Sequence, residues 1–190
     1  MQWTSSEDCF GVVIVAVHWV MAGLVFGLFF LGRFMVALPY THRWYHGAPL
    51  LHKDLGLVLF ALLVFRVFWR IFIDRRPAPS PMPAWERVAA GAVQFLFYVF
   101  LFGITTSGYL VPTARGRGID FFGLFEVPAI VQGLPHQEDI AGDIHRTLAY
   151  TLMGLVAIHT LGALKHHFVD NDATLIRMLG MRRKSTRRSV

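Results

Sequence analysis

IAGDIHRTLAYTLMGLVAIHTLGALKHHF, residues 140–168, is an apolar stretch with four histidines, two at its end (His166 and His167) and two within it, His145 and His159, fourteen positions apart. About 20 apolar residues cross the hydrocarbon layer of a bilayer, so this stretch is long enough to span. At 3.6 residues per turn, fourteen positions are close to four turns. Both rings therefore leave nearly the same helix face, about 21 Å apart along the axis. One metal ion cannot be reached by both. Two separate centres, one near each membrane surface, can be.

Three further runs have the same character. Gly11 to Gly32, GVVIVAVHWVMAGLVFGLFFLG, contains no charge. A cleaved signal peptide would be preceded by positive charge, whereas Glu7 and Asp8 precede this run without any basic residue, so it reads as a retained span. The second run, Leu50 to Ile73, holds Lys53 and Asp54 near one end and Arg66 and Arg70 near the other. The third, Val88 to Val111, follows RRPAPSPMPAWER (75–87), whose prolines mark a short linker. Between the third and fourth runs lies the Pro112–Asp139 connection. Its FFGLFEVPAIV portion (121–131) is too apolar for a free loop and is expected to lie along the membrane surface.

These runs predict an all-α fold: one integral membrane four-helix bundle over residues 1–190, with lipid as its surroundings. Composition agrees. Of the 190 residues 55% are hydrophobic and 16% charged, with mean hydropathy +0.50, leaving too little polar surface for a soluble domain. The net charge of +6 does not indicate nucleic acid, because the cations sit in connections and in the tail Arg182, Arg183, Lys184, Arg187 and Arg188. With the N-terminus inside, twelve Lys and Arg fall on the side of the termini. Six (Arg33, Arg43, Lys53, Arg115, Arg117 and Arg146) fall on the other. That bias predicts cytoplasmic termini. A single cysteine, Cys9, excludes an internal disulfide and a Cys-x-x-Cys-His haem attachment site.

Four of the nine histidines lie within or at the ends of spans: His18, His52, His145 and His159. Ionisable groups at membrane depth are costly and mark function by default; for any one alone, an interhelical hydrogen bond is the alternative. The depths pair His18 with His159 on the inner side and His52 with His145 on the outer side. Two imidazoles from facing helices in an apolar layer suit a six-coordinate haem iron, held without covalent attachment. Zinc asks for four ligands, usually including Cys or carboxylate. A proton relay through the histidines is the other reading. Lys53 and Arg146 directly follow the outer histidines, and Arg66 and Arg70 lie one turn apart at the inner end of the second run. These four are expected to clamp haem propionates, with snorkelling to the interface as the alternative. His42, His46, His136, His166 and His167 read as surface histidines, with the last two also candidates at an inner quinone site.

The ordered set resembles the bacterial dihaem cytochrome b561 family. It comprises His18-Trp19, His52, Arg66-x-x-x-Arg70, Phe122-Gly123-Leu124 with Pro128, His145 and His159, His166-His167-Phe168, and Thr174 through Met178. Within that family the resemblance points to the small superoxide oxidases. It covers essentially the whole chain; the N-terminal arm and the 33–49 loop depart from it. The resemblance implies four helices in a bacterial inner membrane, two b haems with His18, His52, His145 and His159 as axial ligands, and ubiquinone as redox partner. It further implies an oxidoreductase taking electrons from superoxide on the outer side. The alternatives are a relay subunit between the quinone pool and a protein partner, and a non-redox channel or transporter subunit.

Overall fold

A computed structural model describes residues 3–6, 10–74 and 82–180. Cys9, Glu7, Asp8, Arg75, Arg76 and the basic tail lie outside the described residues. The chain is an all-α bundle of four long helices: α1 Val12–Ala37, α2 Gly47–Phe72, α3 Ala84–Thr113 and α4 Gln137–Phe168. Each is long and apolar enough to cross a membrane, and many large apolar side chains point outward, among them Phe30, Phe95, Ile158 and Leu161. In water such a surface would be untenable; in lipid it is the expected one.

The helices outrun the apolar runs at several ends. α3 begins at Ala84, directly after Pro83, because proline is tolerated ahead of a first turn, where its missing N–H costs no helix bond. It also runs through Pro112, since a proline in the last turn removes a single helix hydrogen bond, the one to the Gly108 carbonyl. Successive helices pack on one another, and α4 closes the ring against α1 where Phe29 meets Tyr150 edge to face at 5.5 Å.

The α3–α4 connection differs from the surface-lying segment expected. Ile119–Phe121 (β1) and Phe125–Val127 (β2) form an antiparallel hairpin, with Ile119 opposite Val127 and Phe121 opposite Phe125. Phe122 (φ 50°) and Gly123 (φ 72°) both take left-handed backbone at its turn, the geometry whose twist matches paired strands. Pairing lets an apolar segment satisfy its own backbone groups. The hairpin rests on α2: Ile119 is buried, and the Phe122 amide donates to the buried Asp54 carboxylate at 3.4 Å. The Tyr109 hydroxyl secures the segment beyond, donating to the Pro128 carbonyl at 2.6 Å and accepting from the Ile130 amide at 2.8 Å.

The opposite end of the bundle gathers both ends of the described chain. After α4, a short helix α5 (Thr174–Met178) turns back, and the Asp172 carboxylate just before it accepts from the Thr174 amide at 2.7 Å. The Met178 carbonyl accepts from Trp19 Nε1 at 2.8 Å, which ties α5 to α1. The N-terminal arm is tied to α2: the Ser5 amide and hydroxyl both donate to buried Asp74, at 2.6 and 2.9 Å. Between the hairpin end and this terminal end lies the core, built from Met21, Leu28, Leu59, Leu63, Leu101 and Leu152.

Candidate functional site

Leu152 sits seven positions from His145 and seven from His159, so the apolar core lies between the two histidine levels. At the terminal end His18 of α1 faces His159 of α4, with ring centroids 6.3 Å apart and planes at 67°. At the hairpin end His52 of α2 faces His145 of α4, with centroids 6.1 Å apart and planes at 76°. One helix thus presents two imidazoles, and each meets a partner from a different neighbouring helix.

The separations test whether a metal fits. Imidazole nitrogens bond a transition metal at about 2 Å, as to zinc. Two rings on opposite sides of one ion then have centres about 6 Å apart, allowing about 1 Å from each nitrogen to its ring centre. Both pairs match that spacing. Each pair supplies two ligands and not four, in apolar surroundings, which suits axial ligation of a planar macrocycle better than a tetrahedral ion.

Local contacts set the ring orientations. His145 Nδ1 lies 2.8 Å from the Ile104 carbonyl. A carbonyl only accepts, so this nitrogen carries the proton and Nε2 keeps its lone pair for a ligand. Ser107, buried beside it, approaches the same nitrogen at 3.5 Å. His52 Nδ1 is buried without a hydrogen-bond partner among the described residues. At the terminal end aromatic rings do the holding: Phe97 stands edge-on to His159 at 5.3 Å and Trp19 to His18 at 5.4 Å.

The four expected propionate clamps are placed differently from one another. Arg66, half-buried on α2, is close enough for its charge to act on both His18 and His159. Arg70 reaches the Asp74 carboxylate at 3.2 Å, so it also braces the N-terminal arm. Arg146 is largely exposed and pairs with Asp143 at 3.1 Å. Lys53 lines an open groove of about 450 Å³ with Tyr45, His46 and Pro49. Among the outer cations, Arg115 is paired with Glu138 at 2.9 Å, while Arg43 and Arg117 are exposed.

Several contributors were not singled out from the sequence. Asp54, near the outer end of the second run, is buried under the hairpin. Its place just inside a span was the signal. Glu86, at the start of α3, accepts from Lys165 at 2.7 Å, and Asp170 accepts from Lys165 and contacts His166, both at 2.8 Å. Among the described residues, Glu86, His166 and Asp170 form the one group of three or more metal-ligand side chains whose ligand atoms lie within 4.8 Å of each other. The Lys165 ammonium is the cation it already holds.

The model of the prokaryotic cytochrome b561 family matches residues 10–181. The chain belongs to that family: it is a cytochrome b561-type electron-transfer protein, multi-pass in the bacterial inner membrane. It is 45% identical to cytochrome b561 homolog 2 of Escherichia coli (strain K12) over 183 residues, 95% of this chain and 96% of the relative. Cytochrome b561 homolog 1 of the same organism is 29% identical over 136 residues, 70% and 74% of the two chains. The probable superoxide oxidase CybB of Yersinia pestis is 26% identical over 144 residues, again 70% of this chain and 76% of the relative. The expectation that superoxide oxidase CybB is the nearest kin is thereby corrected.

Proposed function

We propose that this oxidoreductase holds two b haems, one between His18 and His159 and one between His52 and His145, and carries electrons between the two membrane faces. The observation that carries this reading is the pair of matched imidazole separations, 6.3 and 6.1 Å, one toward each end of α4. When bound, each haem supplies a one-electron couple. The chain's own residues do the rest. His18 with His159, and His52 with His145, would hold the two haems, and an iron ligated by two histidines would favour electron transfer over oxygen binding. The leucine-rich core between the levels excludes water. Arg66 offers a charge to a propionate at the terminal end, and Lys53 and Arg146 are the candidates at the hairpin end, with Arg70 as a second terminal-end candidate. With the terminal end cytoplasmic, as the Lys and Arg distribution favours, the hairpin end faces the donor.

Ubiquinone is the membrane partner that this reading favours, because a chain embedded in lipid meets lipid-soluble carriers directly. For the donor, a protein or a second membrane carrier fits the hairpin-end surface, since Arg115 and Arg146 are already neutralised by Glu138 and Asp143. A second reading takes superoxide as donor. It draws on exposed Arg43 and Arg117, which would attract an anion, and on the name of the Yersinia relative. In that reaction two superoxide anions give one electron each and leave as oxygen, while ubiquinone takes both electrons and two protons to become the quinol.

Two assays on one purified preparation separate these readings. Haem quantified against protein is expected to give two b haems per chain; none would return the protein to the channel class. Quinone reduction driven by a superoxide generator, and suppressed by superoxide dismutase, is the outcome for the oxidase. No acceleration by superoxide leaves the relay.

A further inference from the structure

The hairpin-end rings lie against backbone as well as against each other. A methyl group at Gly108 of α3 would stand 2.9 Å from His145 Cε1 and 3.0 Å from Nδ1, and one at Gly32 of α1 would stand 3.2 Å from His52 Cε1. Most other helical glycines meet nothing: Gly23, Gly27, Gly56, Gly91, Gly142, Gly154 and Gly162 have open space where a Cβ would stand. The notch at Gly108 also creates the polar contact. Ile104 lies one turn before Gly108 on the same helix, and its carbonyl reaches His145 Nδ1 at 2.8 Å only because the ring can lie flush against α3.

We infer that Gly108, with the Ile104 carbonyl it uncovers, is a positioning element for the hairpin-end centre: it selects the Nδ1–H tautomer of His145 and aims Nε2 at the metal, while Gly32 seats the opposing ring. Such outer partners fix ring orientation and raise ligand basicity, and their loss typically costs 10–100-fold in metal affinity. Among the described residues no glycine stands against the terminal-end pair, which rests on aromatic side chains, so the effect is confined to one centre. This inference rests on the two-haem reading, but its tautomer arm does not.

The test compares Gly108→Ala, Gly32→Ala and, as a control, Gly103→Ala, whose methyl would meet only the flexible tip of Leu148 at 3.0 Å. Full-length purified protein is followed by a redox titration that resolves two centres and by side-chain 15N NMR of the histidines. In wild type, His145 is expected as the Nδ1–H tautomer with a strong hydrogen bond. G108A should weaken that bond and raise the midpoint potential of one centre, on the order of tenfold in its reduction equilibrium (about 59 mV for one electron). The other centre and the G103A control should stay unchanged. Potentials and nitrogen signals unchanged in G108A would overturn the inference, as would equal shifts in G108A and G103A. If G108A does not accumulate, G32A is expected to shift the same single centre, and its failure to do so is equally decisive. Fewer than two haems in wild type would count against the proposed function, while the tautomer result would still decide this point.

Discussion

The two histidine pairs have almost the same separation but opposite supports. At the hairpin end the rings press on glycine backbone and one is fixed by a carbonyl. At the terminal end they are flanked by Phe97, Trp19 and the charge of Arg66. Backbone cannot be repacked without moving a helix, whereas aromatic side chains adjust their rotamers. The first centre is therefore built for a single ring orientation. The second is built to tolerate adjustment, next to the two places where α5 and the N-terminal arm fold back onto the bundle.

The largest effect that would break this contrast comes from the ligands. His145→Ala is expected to reduce haem from two per chain to one and to spare the terminal-end centre, and His18→Ala should do the converse, read as haem per protein with the spectrum of the centre that remains. Simultaneous loss of both centres in each variant would mean that they do not form independently. Next comes the shared core. Leu63 is fully buried between the levels, so Leu63→Ala should lower stability by roughly 3 kcal/mol and weaken both centres alike, seen as a fall in thermal midpoint in detergent. Phe97→Ala sharpens the comparison. The half-buried ring should cost about 2 kcal/mol and perturb the terminal-end spectrum alone. Asp54→Ala should cost about 1 kcal/mol, with faster hydrogen exchange at the Phe122 amide as its signature and both haems retained.

The smallest effect is electrostatic. Asp170 lies beyond the end of α4, and its hydrogen bond from Lys165 holds its carboxyl below the usual range. A depressed carboxyl stabilises the fold above its unfolded value of about 4 and loses that contribution as pH falls through the lower folded value. Thermal midpoints measured between pH 3 and 6 should therefore decline below about pH 4, and the decline should be slightly shallower in Asp170→Asn. The group is exposed, so solvent screening keeps the effect small.

The spans were legible because hydropathy over 20 residues is a strong signal, and the histidine pairing was legible because His145 and His159 share one helix with a fixed pitch. What escaped was everything set by the approach of two elements. The hairpin at 119–127 depends on a three-residue loop, 122–124, in which Phe122, an unusual residue for left-handed backbone, takes a place normally marked by Asn or Gly. Gly32 and Gly108 look like ordinary small residues of membrane helices until the neighbouring ring is seen above them. The resemblance to superoxide oxidases went further than these residues carry it, since cytochrome b561 homolog 2 of Escherichia coli is 45% identical and the superoxide oxidase of Yersinia pestis 26%.

Iron anomalous scattering from crystals of the purified protein bears most directly on the two-centre arrangement. Two iron peaks are expected, one between His18 and His159 and one between His52 and His145, about 20 Å apart along α4. A single peak, or iron at the Glu86–His166–Asp170 group with none between the imidazole pairs, would contradict it.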